Sequence, residues 1–158
     1  MQRIKVNSST PEGLKKPLIS FISKYGDNHI TKKAINWFNR TPFSEITKEK
    51  GDAVHIIIND RNKIIAMIGI VNYGLEQAII VVHPKIRKTG IAQKLTNGVL
   101  DDIDRYYVKV ANDNIPSLKL CFSIGMRAFN LIKGPTGKPT LVLGFGNWNS
   151  NEWFKYNK

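Results

Sequence analysis

Acidic residues are scarce in this sequence. Its 158 residues hold 12 Asp and Glu against 24 Lys and Arg, which leaves a formal net charge of +12. A chain so short of negative charge is drawn to anionic partners: nucleic acid, an anionic surface or a polyphosphate ligand. A lysine-rich soluble surface with no such partner is the equal alternative. Cysteine is nearly absent. Cys121 stands alone, so no disulfide forms within the chain, and a reducing compartment is favoured. No run of about 18 apolar residues occurs, so no membrane span is expected. The opening MQRIKVNSSTPEG has no apolar stretch of signal-peptide length, and a cytoplasmic protein is expected. Neither a Walker pattern nor a G-x-G-x-x-G turn is found, and no metal is assigned.

What is present is an ordinary globular composition, 42% hydrophobic and 23% charged, in a length that fits one domain with its own core. Residues 2–7 read as a short strand. Thr10 and Pro11 read as an N-cap and first helical position, followed by Leu14, Leu18, Phe21, Ile22 and Tyr25 at helical spacing and a stop at Gly26. A second helix is expected from Thr31, with Trp37 and Phe38 on its apolar side, ended by Thr41-Pro42. Three isoleucine- and valine-rich runs follow, at 53–59, 64–73 and 76–83, separated by turn-like breaks. They read as an antiparallel meander, and their nearly continuous apolar character predicts helices on both faces. Ile91, Leu95, Val99 and Ile103 form one helical stripe, 106–112 a further strand, 116–124 a short helix, and RAFNLIK and TLVLGFG two last strands. The fold class is mixed α/β in a single domain.

The stretch HPKIRKTGIAQKL, residues 83–95, lies between a buried strand and an amphipathic helix. A helix N-terminus presents unpaired amides and a positive dipole end, and Gly90 leaves room for a ligand to approach them. Arg87 and Lys88 add charge. By charge and glycine alone, a solvated basic turn is the better reading. The strand that delivers the loop to a sheet end, where ligands usually sit, shifts the balance towards a pyrophosphate site.

These residues resemble a known family. Val82-His83-Pro84 followed by Arg87-Lys88-Thr89-Gly90-Ile91-Ala92 looks like the signature of the GNAT superfamily of N-acetyltransferases, a strand ending V-x-P and then R/Q-x-x-G-x-G/A at a helix start. The later stretch NIPSLKLCFSIGM, with Asn114, Ser117, Leu120, Cys121, Gly125 and Met126, resembles the family's second motif. The resemblance implies a GNAT-like central mixed, mostly antiparallel sheet with helices on both faces. It also implies acetyl-CoA as cofactor, its pyrophosphate held by the loop and helix start (Arg87, Lys88, Thr89, Gly90, Ile91, Ala92 and Gln93). Its pantetheine arm would lie along Ile80, Val81 and Val82, with Asn114 and Ser117 beside it. Residues 1–50 would then form a helical acceptor side, 53–145 the cofactor-binding core and 147–158 a tail. The acceptor would be shaped by residues 14–45 and the 133–140 loop.

The sequence departs from the family where catalysis is concerned. Cys121 stands where a tyrosine often acts as general acid. A thiol of ordinary pKa, about 8.5, gives up a proton more readily than a phenol near 10, while a small buried core cysteine is the plainer alternative. Lys109 stands where some members carry a glutamate. Glu76, at the start of the strand leading into the loop, is the best-placed general base, though a solvated strand-end charge is its plainer reading; His55 and Asp113 are weaker, and His83 is a spacer before proline. Asp101, Asp102 and Asp104 read as a solvated helix face, with attraction of a cationic acceptor as the alternative. The tail aromatics Trp148, Trp153, Phe154 and Tyr156 read as packing back on the domain, with base stacking or a dimer contact as alternatives.

The expected activity is acetyl transfer to a primary amine by direct attack on the thioester. The expected partners are acetyl-CoA, the amine acceptor, an anionic partner answering the charge, and a second copy of the chain in a homodimer, with no membrane. The positive charge argues for a neutral or acidic amine, or a protein terminus or lysine, over a polycation. A second class stays open: a non-catalytic acyl-CoA-fold protein that holds nucleic acid or an acidic protein on its basic surface. Only nucleic-acid binding should fall steeply with salt.

Overall fold

The computed structural model of the chain describes residues 1–26, 30–134 and 137–158. Its strands are β1 (Gln2–Lys5), β2 (Ala53–Ile58), β3 (Ile64–Val71), β4 (Gln77–Val82), β5 (Arg105–Ala111), β6 (Arg127–Lys133) and β7 (Pro139–Gly146). Its helices are α1 (Lys15–Tyr25), α2 (Lys32–Arg40), α3 (Ile91–Gly98), α4 (Ile115–Ser123) and α5 (Ser150–Tyr156). Residues 135–136 of the 133–140 loop lie outside the described residues.

Every strand pair is antiparallel, and the strands fall into two sheets, β1-β2-β3-β4 and β5-β7-β6. The meander is therefore present, and the α/β class is as expected. The sheet parts between β4 and β5, which are both edge strands.

The apolar runs of β2 and β3 are covered on both faces. Ala66, Ile68 and Ile70 of β3 pack with Ile91, Leu95 and Val99. Met67 and Val71 face the other way, onto Leu18, Phe21 and Ile22 of α1 and Trp37 and Phe38 of α2. Each such side chain, fully buried, contributes about 1.5–3 kcal/mol of transfer free energy. The tail packs on the second sheet. Trp148 stacks on Phe129 at 5.0 Å, and Trp153 is buried with Leu75, Tyr107 and Val142. Among the described residues no helix is long and apolar enough to cross a membrane.

Three local readings need correction. Thr10 does not cap α1: its hydroxyl oxygen accepts from Asn7 N–H, a 3-10 turn occupies Glu12–Leu14, and the helix starts at Lys15. The α3 stripe does not continue as one α-helix. After Gly98, whose absent side chain leaves the space that the Arg3 guanidinium fills, it tightens into a 3-10 turn, Val99–Asp101. Asp102 is not simply solvated. Its Oδ2 lies 2.6 Å from Nε2 of the buried His55, and its Oδ1 lies 3.6 Å from the Lys5 ammonium.

Candidate active site

Strand β4 offers an unpaired edge. His83 N–H donates to Ile65 O at 2.9 Å, and Ala66 lies opposite Val82. By the alternation of an antiparallel ladder, the backbone groups of Ala78, Ile80 and Val82 point away from β3, towards β5. Among the described residues no strand pairs with them there. The two sheets are tied at one end, where Tyr107 N–H donates to Tyr73 O of the β3–β4 turn at 2.9 Å. Beyond that tie the two edges part to leave a cleft whose β4 side is about 17 Å long, five residue steps from Gln77 to Val82, with no strand joining β4 to β5 among the described residues.

At the open end the chain turns through a 3-10 turn, Pro84–Ile86, into α3. The turn is built by its own polar groups. His83 Nδ1 accepts from Lys85 N–H, and the Thr89 hydroxyl donates to Ile86 O. Arg87 is a clamp: its Nε donates to Val82 O at 3.1 Å, and its Nη2 to Tyr25 O at 3.4 Å. Lys88 and Gly90 are both left-handed, with φ of 65° and 84°. Gly90 is the N-cap of α3, with no side-chain cap. A Cβ built on Gly90 would meet nothing within 4 Å. Among the described residues the first amides of α3, on Ile91, Ala92 and Gln93, have no protein acceptor, as an anion site requires.

The second motif lies at the end of β5. Asn114 caps α4, its Oδ1 accepting from Ser117 N–H at 3.4 Å, and among the described residues its Nδ2 has no hydrogen-bond partner. Gln93 Nε2 donates to the Ser123 hydroxyl and so ties α3 to α4. The structure sets Ile80–Val82 and Arg87–Gln93 in one strand–turn–helix unit and ties α3 to the C-terminal end of α4, whose opposite end carries Asn114 and Ser117. Arg87 and Thr89 are partly occupied in holding the loop itself. Cys121 is 6% exposed and packs in the core with Tyr106 and Met126. Burial pushes its thiol up to about 11.

Glu76 lies at the far end of β4. It lines a cavity of about 340 Å³ together with Trp37, Glu45, Lys50 and Asp52. Asp52 is 7% exposed, and Asn72 N–H donates to its Oδ1 at 2.9 Å. Burial, chiefly, raises its pKa above the usual aspartate value, and the Glu76 charge adds to this. Sequence reasoning did not single out Asp52, which carries no spacing signal towards Glu76. The other candidate bases lie elsewhere. His55 is enclosed by Asp102 and Arg3, and burial, chiefly, holds its pKa below the ordinary histidine value. Asp113 is paired with Lys138 at 2.8 Å. The His83 ring rests on Tyr25 at 4.6 Å between centroids.

Residues 22–126 match the family model described as Acetyltransferase (GNAT) family. No curated protein matches the chain in sequence. Among solved structures, the chain resembles a chimera of spermidine N-acetyltransferase SpeG from Vibrio cholerae and hSSAT, with a TM-score of 0.67, 11% identity and 100% of both chains covered. It also resembles an acetyltransferase of GNAT family from Staphylococcus aureus Mu50, with a TM-score of 0.67 and 18% identity, over 92% of this chain and 98% of that one. Such identities establish the shared fold and nothing finer.

Proposed function

The chain belongs to the acetyltransferase (GNAT) family, and we propose that it moves an acetyl group from acetyl-CoA to a primary amine by direct attack of the amine on the thioester. Acetyl-CoA is the acetyl donor of this family. The observation that carries the reading is the unpaired β4 edge leading into a left-handed, uncapped Gly90 at the start of α3. An extended chain bearing amides can add to such an edge as a strand does, and a pyrophosphate fits the amides beyond it. The residues present therefore fit the cofactor. In this reading Gly90, Ile91, Ala92 and Gln93 hold the phosphates through their backbone, with Lys88 and Arg87 adding charge and Thr89 shaping the loop. Ile80, Val81 and Val82 carry the pantetheine arm, which Asn114 Nδ2 meets from α4 near Ser117. Residues 53–145 are the cofactor core, and residues 1–50 with the 133–140 loop form the acceptor side.

Bound acetyl-CoA supplies the activated acetyl carbon. The protein holds the amine against it and removes protons. Glu76 is the proposed base. It takes one proton from the ammonium, so that a neutral nitrogen attacks. The new N–C bond forms as the C–S bond breaks, the leaving sulfur takes one proton from a donor, and the nitrogen's next proton returns to that donor. Cys121 is the proposed donor for that sulfur. Burial keeps its thiol protonated at neutral pH, but donation from about 11 to a thiolate of ordinary pKa, about 8.5, is uphill by about 3 kcal/mol. Its contribution is therefore small beside positioning.

A thermal melt with and without saturating acetyl-CoA, followed by mass measurement of an amine incubated with both, tests the reading. No melting shift and no acetylated amine would sink it.

A further inference from the structure

The cavity at the closed end of the cleft has a charge opposite to that of the molecule. Glu45, Asp52 and Glu76 line it against the single ammonium of Lys50, in a chain whose net charge is +12. The most telling member is Asp52. It is 7% exposed, its Oδ1 accepts from Asn72 N–H, and among the described residues its Oδ2 has no hydrogen-bond partner. Desolvating a carboxylate without a full set of partners is costly, and burial accordingly raises the Asp52 pKa. A cation bound in the cavity would supply the missing partner.

The cavity is also rigidly framed. Asn72, Tyr73 and Gly74 are three left-handed residues in succession, with φ of 51°, 57° and 79°. Tyr73 N–H donates to Gly51 O at 2.7 Å, and Asp52 N–H donates to Thr47 O at 3.1 Å. The β3–β4 turn and the 47–52 segment thus hold each other and fix the Asp52 carboxylate. Trp37, 6% exposed, forms an apolar aromatic wall, a surface on which alkylammonium groups rest favourably. At about 340 Å³ the space lies at the small end of ligand pockets, sized for a small molecule.

We infer that this cavity is the acceptor site and that it takes a small aliphatic amine carrying two ammonium groups, one held by Asp52 and the other presented to Glu76 for acetylation. The inference rests on the acetyl-transfer reading of the same chain. Three carboxylates against one lysine leave two negative charges, which a dication neutralises. The overall positive surface favours anionic or neutral acceptors at long range; the cavity reverses that preference where the amine is held. Asp52 is here a binding residue, and Glu45 shapes the rim.

The test compares 1,4-diaminobutane with n-butylamine, which share a carbon chain and differ by one ammonium. With acetyl-CoA saturating, kcat/KM for the diamine should exceed that for the monoamine by at least tenfold. Asp52→Asn keeps an oxygen for Asn72 N–H and should fold. It should raise KM for the diamine by tenfold or more with little change in kcat, and abolish the preference over n-butylamine. Glu45→Gln should reduce the preference only a few-fold. Calorimetric titration of 1,4-diaminobutane into the protein without acetyl-CoA reads the cavity separately, and binding there should vanish in Asp52→Asn. Equal turnover of the two amines, or diamine binding unchanged in Asp52→Asn, overturns the inference while acetyl transfer stands. If no amine is acetylated and acetyl-CoA causes no melting shift, the enzymatic reading fails instead, and the calorimetric titration still decides whether the cavity binds a dication.

Discussion

A Cβ added to Gly74 would stand 2.0 Å from the carbonyl oxygen of Tyr107. The two sheets meet here, backbone against backbone, with Tyr107 N–H on Tyr73 O. Gly74 also has a φ of +79°, so a side chain is strained whatever space it finds. Gly74→Ala should cost about 2–4 kcal/mol, from the left-handed penalty plus overlap with backbone that cannot yield. Thermal denaturation should register a fall of roughly 5–15 °C. An unchanged melting temperature would mean that the tie between the sheets is not rigid.

At the other end of the cleft the claim concerns backbone more than charge. Gly90→Val, at a φ of +84°, should cost the fold only about 1–2 kcal/mol while removing acetyl-CoA binding. Ala92→Glu should do the same by setting a carboxylate against the phosphates. Lys88→Ala, an exposed side chain, should weaken binding by less than about tenfold, since a solvated charge contributes about 1 kcal/mol or less. Titration of acetyl-CoA followed by melting shift measures all three. A greater loss from the lysine change than from the glycine change would mean that the loop works through charge.

Cys121→Ala should lower turnover by less than about tenfold, because donation from a thiol at about 11 is uphill. Glu76→Gln should lower kcat by about 10²–10⁴-fold, the usual worth of a general base. Single-turnover rates at saturating acetyl-CoA separate the two. A hundredfold loss in the cysteine variant would make the thiol the principal acid.

Arg105 grips Glu152 through Nε and Nη2 at 2.8 and 2.7 Å, and the Tyr107 hydroxyl donates to the same carboxylate at 2.7 Å. The Arg105 guanidinium, with the Tyr107 hydroxyl helping, holds Glu152 below the usual glutamate pKa. A lowered carboxylate contributes stability that is present above its unfolded pKa and lost as pH falls through the folded one. Glu152→Gln should therefore be less stable than the parent by about 1–2 kcal/mol at pH 7, the partial exposure of the pair moderating the effect. The gap should close as the pH falls below the ordinary glutamate value. Urea denaturation across pH 3–7 measures it, and a gap that does not narrow would rule out the ion pair as its source.

Much of the architecture was legible because it depends on local pattern. Val82-His83-Pro84 and Gly90 mark a strand end and a helix start that neighbouring residues alone dictate, and the Ile- and Val-rich runs betray a sheet covered on both faces. What escaped was polar and long-range. Asp102 reads as a surface charge until β2 sets His55 against it, 47 residues away in sequence. Thr10 has the composition of a cap, but Asn7 claims its hydroxyl.

By itself the sequence determined the α/β class, the order of the elements and the strand–turn–helix unit that resembles a coenzyme A site, since periodicity, proline and glycine act within a few residues. Only the tertiary structure decided what lies at the far end of β4. Glu45, Asp52 and Glu76 come from three separate segments and carry no spacing signal. Packing of α2 and the 47–52 segment against the β3–β4 turn gathers them around one cavity, and that burial sets an acidic pocket within a basic molecule.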